Sequence, residues 1–589
     1  MTASRRALIV VGVLSAVALG LPWGGAVPNA AAQEVLVTDA VPGTADQGTL
    51  NLDVTITGEG FARRANAKFY LAGTTNPAGV TVNSTRFVNS SKLVANINVA
   101  AGAVPGDFDI EVKNADGRTG KGTELFTVIK KIDPCLVPDP VTTRTLLTSD
   151  VPGYPGFLDG RFGADTGQVV SPLGFSGSRG AIQVVEGESR IVRAGKLDNS
   201  YCTNDGQNTL TWVVVRYRPT GELDATFGDG GVVTTTFTGG SAYAADVAID
   251  KLNRIVVVGA APPKRGASRV PTVARYNKDG SLDTGFGNGG IAAIPFGRDG
   301  GYANALVLQS DGKIVMVATV SGAPNLAVIR LDSQGALDGS FNFTGKFVDT
   351  HVAVSIGVDV TTQSVEGEER IVVVGRLSQT TFNTHWLGAL YRFTATGAPD
   401  AAFGSAGLVL TDFNPTGRYE NSGTHSRVVV DGENRLVAAL NLSTWQPDLG
   451  RAMSEAAVAR FLDTGSPDTS FGGTGVVALP GSATPSKGSS SGRAVAIQLD
   501  GRILVAGTDR AGPDGDPSEF AAWRLADDGS LDSTFGNGGW ISHPVTTEPR
   551  STVGVGSVVE GPDGTYVVLG SANFSNGWVP YGFLARFWQ

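Results

Sequence analysis

Arginine and aromatic residues recur in segments whose sequence differs from one part of the chain to the next. Aromatic faces beside arginine suit sugars, peptides or anionic groups, and varied segments on a repeated scaffold are where binding residues usually lie. A structural alternative stands beside each, since a loop tryptophan often only covers apolar surface. The candidate ligand-binding residues, one histidine included, are Arg179, Tyr243, Arg298, Tyr302, Trp386, Arg418, His425, Trp445, Arg493, Arg550 and Trp578.

Sequence signals for catalysis or metal binding are few. No nucleophile elbow, phosphate loop or dinucleotide fingerprint occurs. Asp514 and Asp516 flank a glycine as in a calcium loop, but the rest of that loop's spacing is missing, so calcium binding is only weakly supported. No zinc-site spacing is found among His351, His385, His425 and His543. We therefore predict no metal site and no cofactor, and assign no catalytic residue.

A short segment with the pattern Gly-x-Leu-Asp-x-x-Phe-Gly-x-Gly-Gly recurs along most of the chain. Its clearest copies are residues 221–231, 280–290 and 529–539. A segment that recurs along the chain in this way indicates a repeat architecture. Aspartate and glycine supply side-chain-to-backbone hydrogen bonds and positive φ in turns, so we predict a structural role for these aspartates, each worth about 1 kcal/mol. They are Asp159, Asp224, Asp283, Asp338, Asp400, Asp468 and Asp532.

Between these turns lie short apolar, β-branched segments that are typical of strands. One set includes residues 254–259 and 370–375, and a second set, such as residues 213–217 and 458–461, carries a basic residue near its end. Each repeat therefore predicts four antiparallel strands, called A to D, which form one blade of a β-propeller. The seven turn aspartates therefore predict an all-β, seven-bladed propeller. Its last blade is expected to take its strand D from about residues 167–170.

The two faces of such a propeller differ in sequence. Because strands A to D alternate in direction, the A–B and C–D turns share one face and the B–C and D–A loops share the other. The repeated aspartate turn is the C–D turn, which indicates a structural role for its face. The candidate ligand-binding residues fall in the B–C and D–A loops, which we predict to be the binding face.

Two families resemble parts of the chain. The segments Gln309-Ser-Asp-Gly-Lys-Ile314 and 529–539 are similar to the bacterial delta-60 repeat, and this resemblance covers residues 157–589. It implies a β-propeller and no defined catalytic residues. The segments Thr57-Gly-Glu-Gly-Phe61, Val104-Pro-Gly-Asp-Phe-Asp-Ile110 and Asn114-Ala-Asp-Gly117 together resemble the immunoglobulin-like IPT/TIG domain, which implies a spacer or contact module over residues 33–131.

The beginning of the chain has the features of an export signal. Residues 1–32 contain Arg5 and Arg6, an apolar run and a small-residue cleavage site, as in a secretory signal peptide. The arginine pair also fits a twin-arginine signal, so both export routes stay open. We expect an extracellular protein with no membrane span after cleavage, in which a proline-rich linker at 132–156 joins the two domains.

The chain contains two cysteines, Cys135 in the linker and Cys202 in the first complete repeat. In an oxidising compartment, two cysteines with no others beside them most simply form a disulfide. The C-x-x-C spacing of metal or redox sites is absent. The sequence therefore predicts a Cys135–Cys202 bridge.

Composition and charge narrow the possible functions. A net charge of −9 with no basic stripe argues against nucleic-acid binding. The leading prediction is a secreted, non-enzymatic binding or adhesion protein for a glycan, peptide or protein. The alternative is an extracellular polysaccharide hydrolase or lyase in the channel mouth, which would need converging acids there. Glu420 and Glu548 are the exceptions among loops that carry few acids.

Overall fold

The computed structural model describes the greater part of the chain. The described residues are 34–46, 48–100, 103–104, 106–129, 158–159, 161–163, 168–171, 175–198, 210–296, 300–321, 325–350, 354–378, 386–411, 424–446, 451–481, 489–510, 518–545, 551–561, 564–573 and 581–588. Within these ranges the regular structure is β-strand, with no α-helix. A helix able to cross a membrane is accordingly not found in the described part. The chain divides into two compact units, Met1–Asp133 and Pro134–Gln589.

The described residues of the first unit form a pair of four-stranded sheets around one core. Alternation places Leu93, Ala95, Ile97 and Val99 on the buried side of one strand, where none of them is exposed. One sheet has the order β1-β3-β6-β5 and the other the order β2-β8-β7-β4, with β2 and β8 parallel. The strands are β1 (Leu36–Val41), β2 (Thr44–Asp46), β3 (Leu52–Glu59), β4 (Asn66–Leu71), β5 (Val80–Asn89), β6 (Lys92–Val99), β7 (Gly106–Lys113) and β8 (Thr119–Ile129).

The described residues of the second unit form seven four-stranded antiparallel sheets. Its first strand is β9 (Gln168–Val170), and the sheets are then built in chain order. Sheet 1 is β10 (Phe175–Val185), β11 (Glu188–Asp198), β12 (Leu210–Tyr217) and β13 (Val232–Thr235); sheet 2 is β14 (Tyr243–Ile249), β15 (Ile255–Ala261), β16 (Val270–Tyr276) and β17 (Ile291–Ala293); sheet 3 is β18 (Gly301–Leu308), β19 (Ile314–Val320), β20 (Asn325–Leu331) and β21 (Lys346–Val348).

The remaining sheets follow the same pattern. Sheet 4 is β22 (Val354–Val365), β23 (Glu368–Ser378), β24 (Leu387–Phe393) and β25 (Leu408–Thr411); sheet 5 is β26 (Thr424–Val430), β27 (Leu436–Gln446), β28 (Arg451–Phe461) and β29 (Val476–Ala478); sheet 6 is β30 (Ser489–Ile497), β31 (Ile503–Arg510), β32 (Glu519–Leu525) and β33 (Trp540–His543). Sheet 7 is β34 (Thr552–Glu560), β35 (Thr565–Asn573) and β36 (Tyr581–Trp588), completed by β9.

The strand that completes sheet 7 comes from the other end of the unit. Val169 pairs with Leu584 and Gln168 with Ala585, so β9 lies antiparallel to β36. This is the pairing predicted for residues 167–170. It covers an edge of β36 that would otherwise present unpaired backbone groups to solvent.

Apolar clusters join the sheets into a ring. Each of seven clusters is shared by two successive sheets, and one of them joins sheet 7 back to sheet 1. The phenylalanine of each repeated turn is fully buried in one of these clusters; Phe227, for example, packs between sheets 1 and 2, and Phe162 between sheets 7 and 1. The repeated phenylalanine therefore fastens neighbouring sheets together.

The repeated turn aspartates have two kinds of partner. One carboxylate oxygen accepts the backbone N–H two residues later at 3.0–3.1 Å, as the turn chemistry predicts. The other oxygen pairs at 2.7–2.8 Å with the arginine of strand C, and this guanidinium also lies 4.4–4.9 Å from the ring centroid of the turn phenylalanine. The basic residue seen in the strand-C segments is thus the partner of the turn aspartate in all seven sheets.

Candidate functional site

The candidate site is a cavity of about 420 Å³ where the first strands of the sheets begin. The first strands of successive sheets contact one another, so they surround the centre of the ring. The cavity opens at the face of the B–C and D–A loops. Its lining residues are Ser176, Gly177, Arg179, Lys196, Tyr243, Ala244, Ala245, Tyr302, Asn304, Ile356, Gly357, Val358, Arg376 and Ser571. We call this cavity the channel mouth.

Each first strand carries one β-bulge at the same level of the ring. An extra residue at a bulge turns the following side chain toward a new direction. The residues that follow the seven bulges are Arg179, Asp246, Ala305, Asp359, Arg427, Ala494 and Ser557. One side chain per sheet, two of them basic and two acidic, is therefore placed at one level of the channel.

The charged members of this level bind one another across the channel. Arg179 Nη1 lies 3.0 Å from Asp246 Oδ2 and 2.8 Å from Asp359 Oδ1, so sheet 1 is joined to sheets 2 and 4. Arg427 Nη1 from sheet 5 reaches the same oxygen of Asp359 at 2.9 Å. Asp359 also accepts the backbone N–H of Val428 at 3.0 Å. These four side chains form a buried floor, which we call the charged floor.

Asp359 of the charged floor is ionised at neutral pH. Burial would raise the pKa of Asp359, but Arg427, Arg179 and the N–H of Val428 outweigh it and hold the pKa below its usual value. A general acid for glycosidic cleavage needs a raised pKa. Asp359 is therefore an ionised structural group.

Two tyrosines form one wall of the channel mouth. Tyr243 and Tyr302 stand at the beginning of β14 and β18, and Tyr243 also lies beside Arg269, whose guanidinium carbon is 5.6 Å from the ring centroid. Burial, and secondly the proximity of Tyr302, raise the pKa of Tyr243. Its hydroxyl is thus a hydrogen-bonding group at neutral pH and a poor general base.

Basic side chains form the other walls. Lys196 of β11 and Arg376 of β23 line the channel mouth, and Arg376 stacks on Trp386 with its guanidinium carbon 4.6 Å from the ring centroid. Arg493, the bulge residue of β30, is exposed to solvent. The surrounding protein atoms, and secondly the cation of Arg376, lower the pKa of Arg493.

The predicted site residues divide into three groups. Arg179, Tyr243 and Tyr302 line the channel mouth, Trp386 stacks on Arg376, and Arg493 is exposed on β30. The D–A residues among them stand in strands rather than in the expected loops, because each first strand begins before its bulge. The candidates Arg298, Arg418, Arg550 and Trp578 lie outside the described residues, as do Asp514, Asp516, Glu420, Glu548, the signal segment, the linker and the predicted Cys135–Cys202 bridge.

Two candidates are placed differently from the prediction. His425 was expected in a D–A loop but lies in β26 and is only 2% exposed, 3.2 Å from the hydroxyl of Thr411 and edge-on to Phe461. Burial lowers the pKa of His425 to about 3, so it is neutral at physiological pH and packs in the core. Trp445 lies within β27, paired with Ala452, and not in the B–C loop, because β27 and β28 continue beyond the predicted strands.

Lys196, Asn304 and Arg376 also line the channel mouth but were not predicted from the sequence. In the register of the sheets, Lys196 and Arg376 occupy one second-strand position, opposite Ser176 and Ile356. The corresponding residues of sheets 2, 3 and 7 are small or hydroxyl-bearing: Ala260, Thr319 and Ser571. A repeat alignment that compared this position would have shown the two basic residues as exceptions.

A larger cavity, of about 650 Å³, lies on the opposite face beside the A–B turns of sheets 2 and 3. Its polar groups bind one another: Lys251 Nζ donates to the carbonyl of Ser310 at 2.6 Å, and Glu369 accepts from the Ser310 hydroxyl at 3.2 Å. Arg275 is paired with Asp283. These contacts join adjacent sheets, so we assign this cavity a structural role. Groups of three or more potential metal ligands are absent from the described part of the chain.

Comparison with known proteins agrees with the sheet pattern. Residues 253–286, 309–341 and 498–535 match the family described as "Domain of unknown function (DUF5122) beta-propeller". The chain is a β-propeller protein. No curated protein matches its sequence.

Several solved propellers are similar to this β-propeller protein. A polysaccharide lyase of family 25, an ulvan lyase, is 10% identical over 76% of this chain and 96% of its own, with a TM-score of 0.39. The propeller domain of the trilobed protease from Pyrococcus furiosus is 11% identical over 70% and 94%, with a TM-score of 0.36. The leech intramolecular trans-sialidase is 11% identical over 91% and 81%, with a TM-score of 0.32.

Proposed function

We propose that this chain is a secreted, non-enzymatic binding protein whose channel mouth takes an extracellular glycan, peptide or protein group. In this proposal the seven sheets are the blades of one closed propeller built from delta-60-type repeats, and the first unit is an immunoglobulin-like spacer of the IPT/TIG kind. The observation that carries it is the channel mouth, where tyrosine, serine and basic side chains converge from five sheets.

The chemistry of the channel mouth supports binding more than catalysis. The two carboxylates beneath it, Asp246 and Asp359, are bound by Arg179, and the pKa of Asp359 is lowered. Tyr243, whose pKa is raised, is a poor base for proton abstraction. Asp359, which is ionised, is therefore not available as a general acid, and Tyr243, which is protonated, is not available as a general base.

The first prediction separates binding from turnover. A glycan and peptide array probed with the full secreted chain is expected to give ligands that bind, and none of these ligands is expected to be cleaved. Cleavage is followed by new reducing ends for hydrolysis and by ultraviolet absorbance of unsaturated ends for elimination. Turnover that is lost on substitution of Tyr243→Phe would contradict the proposal and establish the alternative, a polysaccharide hydrolase or lyase.

A further inference from the structure

We propose that the ligand of the channel mouth is an anionic saccharide, whose carboxylate or sulfate is bound by Arg376 together with Lys196. This inference rests on the binding function proposed above and assigns its ligand class. Three observations support it: the unbalanced positive charge of the cavity wall, the missing hydrogen-bond and ion-pair partners of Arg376, and the two tyrosines of the aromatic wall.

The described lining of the channel mouth is positively charged. It contains Arg179, Lys196 and Arg376 and no acidic residue. Arg179 is already neutralised by the two carboxylates of the charged floor, whereas Lys196 and Arg376 have no ion-pair partner among the described residues. The two acids of the charged floor, Asp246 and Asp359, are thus already paired with Arg179 and Arg427. A charge of the opposite sign has to come from outside the described structure.

Arg376 is held in place but not satisfied. Its guanidinium stacks on Trp386 at 4.6 Å, and its Nε is buried with no hydrogen-bond partner in the described part of the chain. Arg376 therefore lacks both an acceptor for its Nε and an ion-pair partner, which is unfavourable. A carboxylate or sulfate in the cavity would supply the missing negative charge and accept two hydrogen bonds from the terminal nitrogens of the guanidinium.

The remaining walls favour a sugar as the carrier of this anion. Tyr243 and Tyr302 offer aromatic rings with hydroxyl groups, and Ser176 and Ser571 add small hydroxyl-bearing walls. Sugar rings bind by stacking one face on an aromatic ring while their hydroxyls form hydrogen bonds. The cavity of about 420 Å³ lies at the lower end of the range of about 300–1,000 Å³ for small-molecule sites. This size suits a short stretch of an acidic chain or its end.

The test compares matched charged and neutral sugars on the full secreted chain. Titration calorimetry with tri-galacturonate and its methyl ester, and with a sulfated galactan oligosaccharide and its unsulfated counterpart, measures the contribution of the anion. We expect the charged member of at least one pair to bind on the order of 10-fold more tightly or better, since charge-assisted hydrogen bonds are worth that much. Arg376→Gln and Lys196→Gln should each remove most of that difference.

The control variant is Arg218→Gln, which removes the same charge from an exposed arginine just after β12, at the C–D turn on the opposite face. It should leave the 10-fold preference unchanged. Because Arg376→Gln also removes the stacking on Trp386, its folding is checked by urea unfolding. Lys196→Gln removes no ion pair of the described residues and gives the same answer without that concern.

Each other outcome overturns the inference in a distinct way. If neutral and charged sugars bind equally, the anion preference is wrong while binding by the channel mouth stands. If only an acidic peptide such as hexa-aspartate binds, the anion is right and the saccharide is wrong. If the charge preference is lost only in Arg218→Gln, the binding site lies on the opposite face and the proposed function fails as well.

Discussion

Deletion of residues 157–171 is expected to unfold or severely destabilise the whole propeller. The deleted segment contains β9, which completes sheet 7, and Phe162, which is fully buried between sheets 7 and 1. It also contains Asp159, which pairs with the buried Arg586 at 2.8 Å. Loss of a buried phenylalanine costs about 3–5 kcal/mol, and breaking a buried ion pair costs a similar amount. The total is a large part of the about 5–15 kcal/mol that stabilises a domain.

Urea unfolding followed by tryptophan fluorescence measures this loss. Phe162→Ala alone is expected to cost about 3–5 kcal/mol. Phe343→Ala removes the same side chain from a position that is 95% exposed and should change stability by less than about 0.5 kcal/mol. A deletion variant that unfolds at the same urea concentration as the parent would show that the ends of the unit do not close the ring.

Asp224→Ala is expected to cost about 3–5 kcal/mol, several times the loss expected for a turn cap alone. Asp224 and Arg216 are each 1% exposed and 2.8 Å apart, and Arg190 approaches the same oxygen at 3.0 Å. The substitution leaves the charge of Arg216 buried without its carboxylate. Asp332→Ala is the matched control, because this partly exposed aspartate only caps backbone N–H groups at 2.9 Å and should cost about 1 kcal/mol.

The same variant carries a pH dependence with a definite sign. Burial would raise the pKa of Asp224, but its bonds to Thr226 and the cation of Arg216 outweigh it and hold the pKa below its usual value. A carboxyl with a lowered folded pKa stabilises above its unfolded pKa, about 3.9, and this contribution is lost as pH falls through the folded value. The deficit of Asp224→Ala should therefore be full at pH 7 and shrink below about pH 4. A loss of stability in Asp224→Ala that is the same at pH 7 and below about pH 4 would contradict the buried ion pair. So would a loss of only about 1 kcal/mol at pH 7.

The repeat was readable from the sequence because its chemistry is local. Each turn needs an aspartate, a phenylalanine and several glycines within eleven residues, and that pattern survives in all copies well enough to give the four-stranded unit. The offset between the first turn and the last strand C also predicted the pairing of β9 with β36. The ion pair of Asp224 with Arg216 was not predicted, since it joins two strands that the pattern treats separately.

The candidate site was predicted only in part because it depends on the bulges. A bulge breaks the period of two that identifies a strand. The beginning of each first strand therefore resembled a loop. Arg179, Tyr243, Tyr302 and Arg493 were assigned to the D–A loops, whereas they stand in the first strands. Arg179 was predicted as a ligand group, whereas its guanidinium is bound by Asp246 and Asp359 from two other sheets, a contact that spans 67 and 180 residues. No local pattern carries such a contact.

The most direct test of binding in the channel mouth compares the two faces of the propeller with the same ligand. Binding of the best array ligand is measured by calorimetry for the parent, for Tyr243→Ala with Tyr302→Ala in the channel mouth, and for Lys251→Ala with Leu252→Ala on the opposite face, where Leu252 is 71% exposed. Binding in the channel mouth predicts a loss of at least about 10-fold for the channel-mouth variant and unchanged affinity for the opposite-face variant, with both proteins folded. Retained binding in the first variant and loss in the second would contradict it and move the function to the repeated face.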